Sequence, residues 1–510
     1  MGMIITKQEY AQTIKPTLRA DGKNVVLCHG VFDLIHPGHI IHFEEAKSFG
    51  DILVVSITAS EYVRKGPDRP YFDDNMRLKF LSSLECVDYC MLSEDYTVRD
   101  IVECVEPDVY AKGEEYSVAD NDVTGKIVDE TALVESHGGK VKFTTGQVFS
   151  STKLLNTAMS ALPDECMEYM QRFVRRHDKK EILDSIEAMR KLKVLVVGDV
   201  IIDRYVFCSV QGLMSKNIAY SARHRKTEEY LGGSLAIARQ IARFSDNVTL
   251  CSIIGEEKSV NDLLGTMDKD ITLDLVKSKT YPTIIKERFV GKNPKRDEIE
   301  KFFVINNIPF DLHIDDASVL AFREKISKAM KECDAVVLAD FGHGLIDKQT
   351  KELIEAKAPF LSLNCQTNSS NYGMNLITKY KRADAFSLDE KELKLAFSDA
   401  TLMSNEALRK LSKKLGAVGW HTIGSEGVKS IDEQGNITHC PAFVLHVIDT
   451  IGAGDAFFSV ASLCAALKQS VEIGTFLGNA TGALATRIIG NDKPVEKVDL
   501  LKYIGTLMNV

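Results

Sequence analysis

Short apolar runs alternate with helical periodicities along almost the whole chain. In the first third, residues 25–28, 52–57, 89–92, 109–111 and 140–143 read as strands, and residues 40–49, 75–83 and 98–106 between them read as helices. The alternation predicts an α/β fold on a doubly wound parallel sheet, because parallel neighbours need a crossover and a helix supplies it. Ligands of such a sheet bind beyond the carboxyl ends of its strands.

From 156 to 192 the pattern turns helical and charged, with one proline, Pro163. It reads as a connector containing the domain boundary. A fresh strand at 194–197 opens a second α/β unit that runs to Val510. Segments near 205–225 and 283–304 alternate in polarity and predict a small β lid; later strands fall at 335–338, 359–363, 385–387 and 420–423. The expected division is a first domain over 1–158, a helical connector over 159–191 and a second domain over 192–510.

Length and composition agree: 510 residues are too many for one core, and 45% hydrophobic with 26% charged residues describes a soluble globular chain. A net charge of −9 with no basic block interleaved with aromatics argues against nucleic acid. The basic stretch 172–180 reads as a solvated helix face. No run is long enough for a membrane span, and the start Met1-Gly2-Met3-Ile4 is too polar and short for a signal peptide. The 11 cysteines are odd in number and form no C-x-x-C pair, which predicts free thiols and a cytoplasmic location.

Candidate chemistry begins at Gly30-Val31-Phe32-Asp33-Leu34-Ile35-His36-Pro37-Gly38-His39, where a strand runs into a helix. Backbone N–H groups at such a junction favour phosphate, and imidazoles there can donate to charge developing at an attacked α-phosphorus. Metal binding is disfavoured, since no Cys or carboxylate stands at ligand spacing. The motif resembles the His-x-Gly-His signature of the nucleotidylyltransferase superfamily. Lys65-Gly66, Asn75-Met76-Arg77-Leu78, Ala111-Lys112-Gly113-Glu114 and Ser150-Ser151-Thr152-Lys153 follow in that family's order, nearest to its heptose-phosphate branch. The resemblance implies that His36, His39 and Lys65 are catalytic. It places Gly30, Phe32, Asp33, Gly38, Arg77, Lys112, Gly113, Ser150, Ser151 and Thr152 around the nucleotide and its phosphates, with ATP or CTP as donor. Read alone, Lys65 and Arg77 are ordinary surface cations, Ser150–Thr152 an N-cap run, and Asp33 a turn residue.

The second motif is Asp449-Thr450-Ile451-Gly452-Ala453-Gly454-Asp455-Ala456-Phe457, a glycine-rich turn opening a long apolar helix. Its N–H groups and dipole make an anion hole, and an aspartate there can take a proton from an attacking sugar hydroxyl. It resembles the signature of the ribokinase-like (pfkB) carbohydrate kinases. Gly198-Asp199-Val200-Ile201-Ile202-Asp203, Tyr230-Leu231-Gly232-Gly233, Lys286-Glu287-Arg288 and Thr422-Ile423-Gly424-Ser425-Glu426-Gly427 extend the likeness. It implies Asp455 as general base, with Gly452, Ala453 and Gly454 as the anion hole. Asp199 or Asp203, with Gly232, Gly233 and Arg288, would hold the sugar, and Thr422, Gly424 and Gly427 the nucleotide. Glu392 would be the Mg²⁺ ligand, in Asp389-Glu390-Lys391-Glu392 where the family carries Asn-x-x-Glu. Departures stand beside these matches: Ala236 where the family carries asparagine, Asn364-Cys365-Gln366-Thr367 for an Asp-Pro-Lys-Gly turn, and Ser215-Lys216-Asn217 for Ser-Pro-Glu.

Together the halves resemble the bifunctional heptose kinase/adenylyltransferases with the domain order swapped. The resemblance implies nucleotidylyl transfer to a sugar 1-phosphate with pyrophosphate release, ATP-dependent phosphorylation of a sugar or sugar phosphate, Mg²⁺, and a homodimer. The alternative is a monofunctional cytidylyltransferase whose kinase-like half is a degenerate scaffold.

Overall fold

The computed structural model describes residues 2–63, 70–113, 126–145, 163–214, 219–292, 298–309, 312–368, 371–397, 402–444 and 447–509. Two compact units form, Met1–Ala161 with Leu501–Val510, and Leu162–Leu500.

The first unit is a six-stranded parallel sheet of β1 (Met3–Ile4), β2 (Val25–Gly30), β3 (Ile52–Thr58), β4 (Tyr89–Ser93), β5 (Val109–Gly113) and β6 (Lys140–Thr144). Spatial order is β1-β4-β3-β2-β5-β6. Successive residues of β2 enter different cores. Val25 and Leu27 pack with Ile101 and Val102 of the helix Arg99–Val105, while Val26 and Cys28 pack with Phe43 of Pro37–Lys47 and Leu81 of Asp74–Ser82. Burial on both faces explains why the strand is apolar without alternation. The chain runs β2, β3, β4 to one side and returns to the other side of β2 at β5, so the strand order reverses between β2 and β5.

Among the described residues the second unit carries thirteen strands: β7 (Lys193–Gly198), β8 (Val200–Leu213), β9 (Tyr220–Gly233), β10 (Asn247–Ile254), β11 (Ile271–Lys277), β12 (Ile284–Lys292), β13 (Ile299–Asn307), β14 (Ala335–Asp340), β15 (Leu361–Cys365), β16 (Ala385–Asp389), β17 (Val418–Thr422), β18 (Val428–Ile431) and β19 (Ile437–Cys440). Nine form one sheet in the order β11-β10-β7-β14-β15-β16-β17-β18-β19, parallel as far as β17 and antiparallel beyond. The reversal falls between β7 and β14. The expected lid is a separate sheet, β13-β12-β8-β9. Trp420, Phe457 and Ala461 centre a core beneath the helix Ala453–Ala466. The helices Asp164–Val174 and Lys179–Ala188 belong to this unit: Phe173 meets Phe476 at 4.3 Å, and Cys166 Sγ donates to the Ala442 carbonyl.

All 11 cysteines are free thiols. Among the described residues no helix is long and apolar enough to cross a membrane.

Candidate active sites

In the first unit, β2 ends at Gly30 and the next helix begins at Pro37, a residue whose fixed φ suits a first turn. His36 is the N-cap residue and His39 lies one turn on. Their rings stack with centroids 3.9 Å apart, and the His36 backbone N–H donates to His39 Nδ1 at 3.4 Å. A neutral His39 then carries its proton on Nε2. Burial holds the His36 pKa below its ordinary value. The His36 ring is therefore neutral near pH 7, and both imidazoles stand beside the N–H groups of a helix start. Phe32, with φ 45°, turns its ring edge onto His39 (5.4 Å) and Phe43 (5.0 Å) and lies against Gly30, where a Cβ would meet the ring at 3.0 Å. Asp33 Oδ1 accepts from the Phe72 N–H at 3.0 Å, tying the next loop to the junction. Gly38 lies in the first turn of the helix.

Two expectations need correction here. Arg77 does not offer its charge to phosphate: its side chain is fully buried and all five donors are spent. They go to the carbonyls of Val31 (2.7 Å), Thr58 (3.0 Å) and Phe72 (3.1 Å), to Ser60 Oγ (3.2 Å) and to Asp74 Oδ1 (2.6 Å). It is an internal brace that clips the motif turn, the end of β3 and the Phe72 loop together. Lys112, next to Gly113 at the end of β5, is paired with Glu130 at 2.8 Å rather than held open for a nucleotide. Lys65, Ser150, Ser151 and Thr152 lie outside the described residues, as does the Ser215-Lys216-Asn217 departure.

In the second unit, Gly452 opens the helix Ala453–Ala466 with φ 84°, a conformation that favours glycine, and a Cβ there would strike Asn491 Oδ1 at 2.1 Å. Ala453 and Gly454 form the first turn and Asp455 is its acidic residue. Asp455 Oδ1 accepts from Gln366 Nε2 at 3.0 Å. Burial pushes its pKa up to about 6, against the pull of Gln366 and Lys286. Ala236 lines a small cavity with Gly452, Asp455 and Asn491.

Asp199 follows β7 at the strand-order reversal. Its carboxylate accepts from Tyr281 Oη at 3.1 Å and the Phe341 N–H at 3.3 Å; burial and the neighbouring Asp340 raise its pKa to about 7. Asp203, on β8, is gripped by Arg288 Nε at 2.8 Å and a terminal guanidinium nitrogen at 2.6 Å. Arg288 thus meets Asp203 through Nε and one terminal nitrogen, which joins two of the expected sugar-site residues. Gly232 admits Asp203 closely: a Cβ would sit 2.2 Å from Oδ2, and Gly233 follows at the end of β9. Thr422 ends β17, where its hydroxyl donates to the Leu388 carbonyl at 3.4 Å. Gly424 and Gly427 bound the turn closed by the Ile423 N–H on the Gly427 carbonyl at 2.7 Å.

Glu392 does not fit a direct Mg²⁺ ligand. Its Oε1 and Oε2 accept from the Thr367 and Asp389 N–H groups at 3.2 and 2.8 Å, and burial raises its pKa to about 8. Among the described residues no group of three or more His, Cys, Asp or Glu is arranged to hold a metal.

Two pocket residues escaped the sequence. Lys286 pairs in register with Asp203 across β12 and β8 and sits 5.9 Å from the Phe341 ring. Burial lowers its pKa, with Asp203, Asp199 and Asp455 opposing. It lies in the same strand segment as Arg288. Gln366 stood in a turn noted for its missing lysine; its bond to Asp455 joins residues 89 apart.

A glycine-opened helix carrying a half-buried aspartate, beyond the carboxyl ends of a parallel sheet with a separate β lid, defines an α/β protein of the sugar-kinase class. The chain belongs to the pfkB family carbohydrate kinases, whose model matches residues 191–497. Residues 27–156 match the cytidylyltransferase-like family. Curated relatives are each called bifunctional protein HldE: that of Trichlorobacter lovleyi is 33% identical over 166 residues (32% of each chain), and that of Geobacter metallireducens 36% over 152 (29% of each). The chain spans about a third of the length of these relatives. Solved structures include Escherichia coli phosphofructokinase-2 in complex with potassium (14% identity, TM-score 0.49) and Arabidopsis thaliana ribokinase complexed with ribose and ATP (16%, 0.47), each covering 62% of this chain and 99% of its own.

Proposed function

We propose that this protein is a bifunctional enzyme of nucleotide-sugar synthesis. One half transfers a nucleotidyl group from ATP or CTP to a heptose-type sugar 1-phosphate; the other phosphorylates a sugar or sugar phosphate with ATP. The observation that carries the reading is that each family-matched region has motif residues beyond the carboxyl ends of its strands, His36 and His39 after β2 and Asp455 against Gln366, which follows β15. In the first half an acceptor phosphate oxygen attacks the α-phosphorus and pyrophosphate leaves. His36 and His39 donate to the equatorial oxygens as charge builds, and the helix start adds N–H groups. In the second half the acceptor O–H proton passes to the Asp455 carboxylate as its oxygen bonds to the γ-phosphorus, and ADP departs with the electrons of the broken bond. Gly452, Ala453 and Gly454 present N–H groups to the triphosphate. A divalent cation, on this reading Mg²⁺, would offset the charge of the nucleotide phosphates in both halves.

A copy-to-copy contact through the lid is part of the same proposal. Phe303, Val304 and Ile305 on β13 and Leu213 and Tyr220 on β8 and β9 are exposed apolar side chains of the lid that a second copy would cover. A homodimer follows, checked by sedimentation. Free thiols throughout fit a reducing cytoplasm.

The test is a product assay. The protein is incubated with Mg²⁺, each of the four nucleoside triphosphates and a panel of sugar 1-phosphates and polyol phosphates, following pyrophosphate. ADP is followed separately with sugars and sugar phosphates, for the native protein and Asp455→Asn. Pyrophosphate release with ATP and heptose 1-phosphate, and ADP formation lost in Asp455→Asn, are expected. Release only with CTP and another acceptor would move the pathway. ADP formation indifferent to Asp455 would overturn the kinase half.

A further inference from the structure

Among the described residues the Asp455 carboxylate accepts one side-chain hydrogen bond, the 3.0 Å bond from Gln366 Nε2. Gln366 is firmly rooted. It follows directly on β15, its N–H donates to the Asp340 carbonyl at 2.9 Å, and its own carbonyl accepts from Asn375 Nδ2 at 3.0 Å. Asn375 also donates to the Asp340 carbonyl at 3.0 Å, so one asparagine ties the ends of β14 and β15. The amide that meets Asp455 therefore stands at the carboxyl end of an interior strand, not on a loop tip.

We propose that Gln366 is the positioning residue of the phosphoryl-transfer site: its amide holds the Asp455 carboxylate in one orientation and in its ionised form, and so sets the lower pH limit of the kinase reaction. The inference rests on Asp455 being the general base.

The charges facing Asp455 come from several elements. Asp203 on β8 disfavours its ionisation and Lys286 on β12 favours it; Glu392, from the helix Glu390–Ala396, is a third carboxyl in the field. A neutral donor suits this setting. It stabilises the carboxylate against burial without adding a charge. A cation in its place would hold the acid far down and weaken it as a base; an apolar side chain would leave it protonated near neutrality. With the amide in place the acid titrates at about 6, ionised at pH 7 yet still basic enough to take a hydroxyl proton.

The test needs no knowledge of the acceptor. Full-length protein labelled with ¹³C at the aspartate carboxyl carbons is titrated from acid to mildly alkaline pH, and the Asp455 resonance is assigned by its loss in Asp455→Asn. Gln366→Met is near in shape and lacks the donor; its Asp455 midpoint should rise by about one pH unit, the worth of one hydrogen bond to a charged group. Gln366→Lys should lower the midpoint by about one unit or more. Circular dichroism checks folding, and either variant alone suffices. Midpoints unmoved in the folded variants would overturn the inference. ADP formation from ATP and the sugar or sugar phosphate that supports turnover in the product assay supplies the functional arm: at pH 6 Gln366→Met should lose about fivefold, recovering at pH 8.5, as a shifted base requires. A loss equal at both pH values would mean a merely structural role and overturn the inference too. Activity retained in Asp455→Asn would instead overturn the base assignment, leaving the titration result intact.

Discussion

Replacing Arg77 separates a structural brace from a phosphate ligand. Its guanidinium is fully buried and makes five hydrogen bonds, three of them to the backbone carbonyls of Val31, Thr58 and Phe72. In Arg77→Ala the partly exposed Asp74 and Ser60 find water, but the three carbonyls lose their donor in a closed space. At about 1–2 kcal/mol for each stranded acceptor, the loss is on the order of 4 kcal/mol. That is a large part of the ~5–15 kcal/mol that holds an ordinary domain folded. The readout exploits the single tryptophan, Trp420, which reports only on the second unit. Denaturation followed by far-ultraviolet circular dichroism sees both units, while tryptophan fluorescence sees one. Arg77→Ala should move the dichroism transition of the first unit to lower denaturant and leave the Trp420 transition in place. Arg77→Lys should rescue little, since a lysine has three donors at one point and no planar fork. A variant within about 1 kcal/mol of native stability, with weakened triphosphate binding instead, would refute the brace and restore the phosphate role.

Further outcomes are expected. His39→Ala should lower pyrophosphate-releasing turnover by about 10²–10³-fold with folding intact, as for loss of one donor to developing charge; near-normal turnover would remove the site assignment. Lys286→Met should cost the kinase half about 10²–10³-fold in kcat/KM, leave pyrophosphate release unchanged, and move the acid limb of the kinase profile upward, because Lys286 favours ionised Asp455; an unmoved acid limb would place Lys286 outside the pocket's field. Glu392→Gln should flatten a pH dependence of stability. Burial raises this acid to about 8, so its contribution is complete below the unfolded carboxyl range and is lost as pH rises through 8. The amide keeps one of the two acceptors, so the unfolding temperature should fall less between pH 5 and pH 9 in the variant than in the native protein; an equal fall would refute the raised acid.

The periodicity of the chain carried the fold class, the lid and the strand-to-helix junctions, because these are local. Val25, Val26, Leu27 and Cys28 are apolar in succession since both faces of β2 are covered, and Gly452 stands where φ is 84°. His36, His39 and Asp455 were legible for the same reason, each lying within one turn of the junction that places it. The partners of side chains were not legible. Arg77 and Arg288 both read as cations for phosphate or sugar, yet Arg77 is spent on internal acceptors, three of them carbonyls, and Arg288 is paired with Asp203, 85 residues away. Lys286 and Gln366 looked ordinary until β12 and β15 brought them to Asp455. A sequence states which side chains can bear charge or donate hydrogen bonds. Which of those groups stay available for a ligand depends on contacts between distant segments, and that only the tertiary structure decides.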